Sequence, residues 1–244
     1  MPLGLLGKKI GHTRVYDANG VMTPVTVVQV GPNRVLQVKT VATDGYNAVQ
    51  LGFDDQLEQR VSKAVLGHVR KHKGVPVRRI REFREFSRGV NPGDVVGADL
   101  FEAGQFVDCI GVTKGRGFEG VVGRWAFRGG DMTHGAKGWH RRSGAIGQRL
   151  FPGTVRRGLK MPGHMGAVQR TSQNLEIVQV RAEDNVLLIR GNFPGSEGAY
   201  CVVRESKKIP PGGRRHKMIH EARQKAKDAA SGKKDDKKAG AKKK

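Results

Sequence analysis

The feature that most restricts this chain is a stretch of sixty residues that cannot build a core of its own. From Gly111 to Arg170 it holds 15 glycines and 12 Lys or Arg, against only Glu119 and Asp131. Apolar residues are scattered through it, and neither the helical period nor strand alternation persists for two turns. Such a segment buries too little apolar surface to offset its ordering entropy, so alone it is disordered. A structureless loop of this length is also rare inside a compact domain. A loop that is ordered by a partner reconciles the two.

Charge names the class of partner. Lys and Arg number 45 against 22 Asp and Glu, a formal net charge of +23 in 244 residues. That excess repels itself in a compact monomer and makes sense beside a polyanion. Nucleic acid is the first candidate and an anionic membrane surface the second. No run of about 18 apolar residues is present, so no spanning helix is expected. Met1-Pro-Leu-Gly-Leu-Leu-Gly-Lys-Lys places its charges after the apolar residues, the reverse of a signal peptide. Cys109 and Cys201 sit in apolar strand-like runs and read as buried, reduced thiols of a cytoplasmic protein.

The flanks read as β-structure. Lys9 to Tyr16, Val21 to Val30, Arg34 to Ala42 and Tyr46 to Phe53 are strand-like, punctuated by turns at Asp17–Gly20, Gly31–Asn33 and Asp44–Gly45. Strands about ten residues apart suggest a barrel or a sandwich. The spacing of Leu57, Val61, Ala64, Val65 and Val69 predicts a helix over Gln56 to His72. Val77 to Phe86 is read as strand, and Asp94 to Val112 as two short strands around Glu102–Gly104. After the basic stretch, Leu175 to Val180 and Val186 to Arg190 form a hairpin across Glu183–Asn185, and Tyr200 to Arg204 is a last strand. Residues 205–244 carry 15 Lys or Arg and 5 Asp or Glu, a net of +10. Within them His216 to Ala230 can form a helix, and the rest is a low-complexity tail that is partly helical or disordered. The expected layout is one β-barrel domain over residues 1–208, interrupted by a basic extension over 114–170, with a Lys-rich tail over 209–244.

Several patterns that can mark an enzyme fail on context. Gly115-Arg-Gly117-Phe-Glu-Gly120 matches a dinucleotide fingerprint, but Val-Val-Gly-Arg-Trp after it is not expected to open a helix that would face a pyrophosphate. The pairs His68/His72 and His216/His220 have metal-ligand spacing, but they sit among Lys and Arg with no Cys or carboxylate to complete a set; a solvated or phosphate-facing helix face is expected. Ser143, His134 and His140 lack the carboxylates that acid–base chemistry needs. No cofactor, metal or small-molecule substrate is expected.

What remains is an interleaving of basic, aromatic and glycine residues. Arg124, Trp125, Phe127 and Arg128, then Trp139, His140, Arg141 and Arg142, then Arg149 and Phe151, repeat one theme. Arginine forks pair with phosphate and stack on bases, aromatic faces stack on unpaired bases, and glycine lets the backbone approach RNA. For Trp125 and Phe127 the competing reading is packing against the edge of the barrel. Two other function classes stay open on these residues. A general nucleic-acid-binding module would show comparable affinity for duplex DNA, and an RNA-modifying enzyme would bind a nucleotide or methyl donor.

Ordered motifs resemble a known family. Gly4-Leu-Leu-Gly-Lys8-Lys9-Ile-Gly-His-Thr-Arg14 resembles the opening of large-subunit ribosomal protein L-three, bacterial type. Lys114-Gly-Arg116-Gly-Phe118-Glu-Gly-Val-Val-Gly-Arg-Trp-Ala-Phe127 resembles its central signature. His134-Gly with Lys137, Arg142-Ser-Gly-Ala-Ile-Gly-Gln148, Pro152-Gly with Arg156 and Arg157, Lys160-Met-Pro-Gly-His164-Met-Gly and Asn185-Val-Leu-Leu-Ile-Arg-Gly191 follow in the family's order. His12, Trp139 and the Lys-rich tail depart from the pattern. The resemblance implies a six-stranded barrel of the translation-factor kind, and a long extension that runs through rRNA towards the peptidyl transferase centre. It also implies a non-catalytic role in subunit assembly, in the cytoplasm, beside neighbouring large-subunit proteins. Gln148 stands where some members carry a methylated glutamine. The expected rRNA contacts are Lys8, Lys9, Arg14, Lys114, Arg116, Phe118, Arg124, Trp125, Phe127, Arg128, His134, Lys137, Trp139, His140, Arg141, Arg142, Gln148, Arg149, Arg156, Arg157, Lys160 and His164.

Overall fold

The computed structural model describes residues 3–17, 20–72, 74–222 and 224. In chain order its elements are β1 (Gly4–Tyr16), β2 (Met22–Gln29), β3 (Asn33–Lys39), α1 (Val41–Asp44), β4 (Ala48–Asp55), α2 (Lys63–Lys71), β5 (Val77–Arg84) and β6 (Val95–Val96). They continue with β7 (Phe106–Val112), β8 (Gly117–Glu119), α3 (Val121–Trp125), β9 (Gly163–Met165), β10 (Gln169–Arg181), β11 (Val186–Arg190) and β12 (Tyr200–Glu205). The chain divides into two compact units, 1–111 with 171–244, and 112–170.

The first unit holds a closed barrel of six strands in the order β1-β12-β7-β10-β11-β2. β1 is long enough to serve two partners: Gly4 to Lys8 pair with β12, and Lys8 to Tyr16 pair with β2. In β2 Val25 and Val28 are both buried, Val28 within the main core, while β7 is buried from Phe106 through Gly111. Leu5, Val107, Cys109, Ile177, Leu187, Ile189 and Val203 are wholly buried in the core. Truncating one of the larger of these to Ala removes about 2–5 kcal/mol. Gly7 sits where a Cβ would come within 2.6 Å of the Gln29 carbonyl, so two backbones can close there only over a glycine. Asn33 is fully buried and stitches β1 down: its side chain donates to Leu6 O at 3.0 Å and accepts from Leu6 N at 3.2 Å.

Between β2 and β7 the same unit carries a second, four-stranded sheet in the order β5-β4-β3-β6. So only β1 and β2 of the early strands join the barrel. The ten-residue spacing foretold strands, but not which would pair. α2 covers this sheet by packing Val65 and Val69 on Leu36, Val77 and Ile80.

Some local expectations are corrected. The strand from Arg34 stops at Lys39, and Val41–Asp44 forms a single helical turn closed by Gly45 at φ 79°. The helix expected over Gln56 to His72 covers only Lys63–Lys71; Val61 is extended and Ser62 caps the helix from its side chain. Leu57, counted on the apolar face, is 68 % exposed. At the C-terminal end residues 214–222 are helical, and the Lys-rich tail beyond 224 lies outside the described residues. Cys109 and Cys201 are buried free thiols.

Candidate nucleic-acid interface

The second unit starts and ends as a pair of strands. Thr113 N donates to Val168 O at 3.0 Å, Arg116 N donates to Met165 O at 2.9 Å, and β8 pairs with β9 through Phe118 and His164. Gly166, at φ 77°, turns the returning strand; a Cβ there would collide with the Lys114 carbonyl. α3 then opens directly after Gly120, which corrects the expectation that no helix forms at this point. It has five residues and ends at Ala126 in the left-handed region. A single turn between two antiparallel strands is not the strand–helix unit of a dinucleotide site, so that exclusion stands on topology.

Within 112–170, Val121 is the only buried apolar side chain among the described residues. Order comes instead from polar and π contacts. The Met161 carbonyl accepts from Arg124 Nη1 at 2.9 Å and from Trp125 Nε1 at 2.8 Å. The Arg124 guanidinium lies 4.9 Å from the Trp125 ring and the Lys160 ammonium 5.7 Å from it. Trp125 is therefore held within its own unit, between two cations. Phe118 and His164 meet edge to face at 5.9 Å, yet Phe118 stays 70 % exposed. Arg142 lies 5.6 Å over Trp139, and His140 Nδ1 is 3.1 Å from the Asp131 carbonyl.

Of the other expected contacts, Phe127 is half-buried, and Arg128 makes an exposed 3.7 Å ion pair with Asp131. That is the only ion pair in the unit among the described residues. Lys114, Arg116, His134 and Lys137 are exposed. From Arg141 to Lys160 every residue is exposed, including Gln148, Arg149, Arg156 and Arg157. Phe151, read with Arg149 as part of the basic–aromatic theme, is 90 % exposed, and two further bare apolar residues, Leu150 at 88 % and Met132 at 81 %, were not singled out as contacts. Their signal was present, since apolar side chains in a run without periodicity have no core to enter.

In the first unit Arg14 is exposed and Lys8 half-exposed. Lys9 is a correction. It is 4 % exposed, and its ammonium donates to the carbonyls of Phe193 at 3.1 Å and Gly195 at 3.0 Å, so it ties β1 to the segment between β11 and β12 and is turned away from solvent. The histidine pairs are corrected in the same sense. His68 Nε2 is 2.6 Å from Gln50 Oε1, and His216 and His220 stack at 4.3 Å beside Phe106; all three rings are half-buried against their own unit. No group of three or more metal-ligating side chains occurs among the described residues. No helix there is long and apolar enough to cross a membrane.

Comparison with known proteins places this arrangement. Residues 69–216 match the family described as Ribosomal protein L3. The chain is 46 % identical over 205 residues to large ribosomal subunit protein uL3 of Deinococcus radiodurans, covering 84 % of this chain and 95 % of that protein. It is 47 % identical over 208 residues to uL3 of Pseudomonas fluorescens, covering 85 % and 99 %. It is 48 % identical over 212 residues to uL3 of Akkermansia muciniphila, covering 85 % and 100 %.

Proposed function

The chain belongs to the ribosomal protein L3 family, and from that premise we propose that it is a structural constituent of the large ribosomal subunit that binds large-subunit rRNA. The observation that carries the reading is the Val112–Arg170 unit. It presents 12 Lys or Arg with one exposed ion pair and one buried apolar residue, so a polyanion supplies the counter-charge and stabilisation that its small core does not. Phosphate contacts from its Lys and Arg fix position, and Phe118, Trp125, Trp139 and Phe151 offer faces to unpaired bases. In this reading the unit is an extension that penetrates rRNA towards the peptidyl transferase centre and buttresses it. The residues from Trp139 to Phe151 lie near its tip, Gln148 is a candidate for methylation, and the Lys-rich tail adds basic charge.

The family is one of structural components and not of enzymes, so its work is to fold RNA during assembly and to meet neighbouring large-subunit proteins. If ten of its basic residues meet phosphates, log K falls against log salt with a slope of roughly −7 to −9. The test is sucrose-gradient fractionation of a native lysate at low and high salt. Co-sedimentation with the large subunit through a salt wash is expected. Protein at the top of the gradient, or released by modest salt, would make it a peripheral electrostatic binder and overturn the proposal.

A further inference from the structure

Outside residues 112–170 the arginines fall into two groups. Arg34, Arg70, Arg88, Arg190 and Arg204 each sit against a carboxylate, those of Asp55, Glu58, Asp99, Glu176 and Asp108. The four arginines of β5 do not, and among the described residues neither do Arg14, Arg60, Arg181, Arg214 and Arg215, but only those of β5 lie together on one strand. Arg78, Arg79, Arg81 and Arg84 occupy all four exposed positions of the strand and make no ion pair among the described residues. β5 is also the outer strand of its sheet, so this row lies along a free edge.

Acids stand close by but are used elsewhere. Asp54 accepts a short hydrogen bond from the Tyr200 hydroxyl. Glu82 accepts from the Tyr46 hydroxyl at 2.9 Å and pairs with the Lys39 ammonium at 2.6 Å. The two phenol rings so fixed become platforms for the β5 arginines. The guanidinium carbons of Arg79 and Arg78 lie 4.8 and 5.7 Å from the Tyr200 centroid, and that of Arg84 lies 4.9 Å from the Tyr46 centroid. A guanidinium stacked on a ring has its plane set while its N–H edge stays unbonded, so less side-chain entropy is lost when it captures a bidentate anion.

We propose that β5 is a second RNA-backbone site, in which Arg78, Arg79, Arg81 and Arg84 bind successive phosphates of an RNA strand laid along the sheet edge. Residues two apart on a strand are about 6.6 Å apart, which lets Arg79 and Arg81 reach different phosphates. A protein partner fits less well, because a protein interface needs an apolar centre and every exposed position of β5 is charged. Edge arginines also discourage strand addition, but that role requires neither tyrosine platforms nor the diversion of nearby carboxylates. The inference rests on the rRNA-binding reading above and assigns it a surface distinct from the 112–170 unit.

The test uses the full chain with two probes, a large-subunit rRNA transcript and a short RNA duplex of unrelated sequence, titrated over a range of salt. The charge variant changes Arg78, Arg79, Arg81 and Arg84 to Gln. A control with equal charge loss changes Arg181, Lys207, Lys208 and Arg215 to Gln. The β5 variant is expected to flatten the salt slope on the transcript by about 3 and to weaken binding at least tenfold more than the control. Equal losses in the two variants would overturn the proposal by reducing it to net charge. A parent chain that binds the transcript no better than the unrelated duplex would refute the rRNA-binding reading itself, which separates the two failures. Because the tyrosine contacts contribute to folding, Arg81→Glu supplies a second probe: the Arg81 side chain makes no ion pair or ring contact among the described residues, so a native melting midpoint with several-fold weaker binding is expected. A photo-crosslinker at position 81 in cells should capture RNA, and capture of a protein there would sink the assignment.

Discussion

Replacing Lys9 by methionine separates a lysine that holds the barrel from one that faces RNA. The ammonium donates to two backbone carbonyls and lies 5.2 Å from the Phe193 ring. A hydrogen bond from a charged group contributes about 1.5–3 kcal/mol, and a carbonyl left buried and unpaired costs about 1–3 kcal/mol. Against this, methionine removes the desolvation penalty of a buried charge and keeps most of the aliphatic stem. The balance is a loss of about 2–4 kcal/mol. In a chain of this length each 1 kcal/mol moves the melting midpoint by about 2–4 °C, so Lys9→Met should melt roughly 5–15 °C below the parent. Circular dichroism melting of the full chain reads that shift, and rRNA titration over a range of salt reads the other half of the claim, an unchanged slope. A variant that melts with the parent but loses salt-dependent affinity would refute the reasoning and return Lys9 to the RNA-facing set.

Three other outcomes follow from the geometry. Burial pushes the Cys201 thiol up to about 12 and raises that of Cys109 as well, so neither should react with a disulfide reagent at pH 8 until urea unfolds the chain; rapid labelling of the native protein would contradict their burial. Burial lowers the pKa of His72 and of His216, each helped by a neighbouring imidazole, from an ordinary value of 6.5. Both favour the neutral form when folded, so their contribution is complete above pH 6.5 and is lost as pH falls below it. His72→Asn with His216→Phe should therefore remove part of the decline in melting midpoint between pH 7.5 and 5.5, and an unchanged decline would assign it to other groups. Deleting residues 125–160 should leave a folded barrel, with near-parental far-ultraviolet dichroism, that enters large subunits poorly; incorporation at the normal level would refute the proposed role of the extension.

The strands were legible because β-branched runs and Gly, Asn and Asp turns are local signals, and Val25–Val28 and Leu187–Ile189 carry them plainly. Strand spacing left a barrel and a sandwich open, and the six-stranded barrel came from the family resemblance, because β1 pairs with β12 across the length of the chain and no local residue encodes that choice. The four-stranded sheet was hidden for the same reason. α3 was missed because one helical turn is shorter than any window in which a period can be measured. The burial of Lys9 was in principle readable: strand alternation carries Leu5 and Gly7 inward, and Lys9 is the next residue in phase. The exposed basic surface of residues 112–170 was legible as composition, while the tyrosine-stacked arginines were not, since Tyr200 and β5 meet only in the folded chain.

The closure of the barrel by its last strand also sets a timetable for synthesis. β1 and β2 leave the ribosome that makes them about 170 residues before β12, a delay of roughly ten to thirty seconds at 5–20 residues per second. During that interval β1 has only β2 beside it and its other edge is open, and before it ends the whole 112–170 segment emerges with its 12 cations. On the proposed reading, the part of the chain that binds RNA is thus available before the barrel is complete. A nascent chain stopped before Tyr200 has an unclosed barrel and a finished basic arm, so early termination yields a species that can attach to RNA without the scaffold meant to hold it.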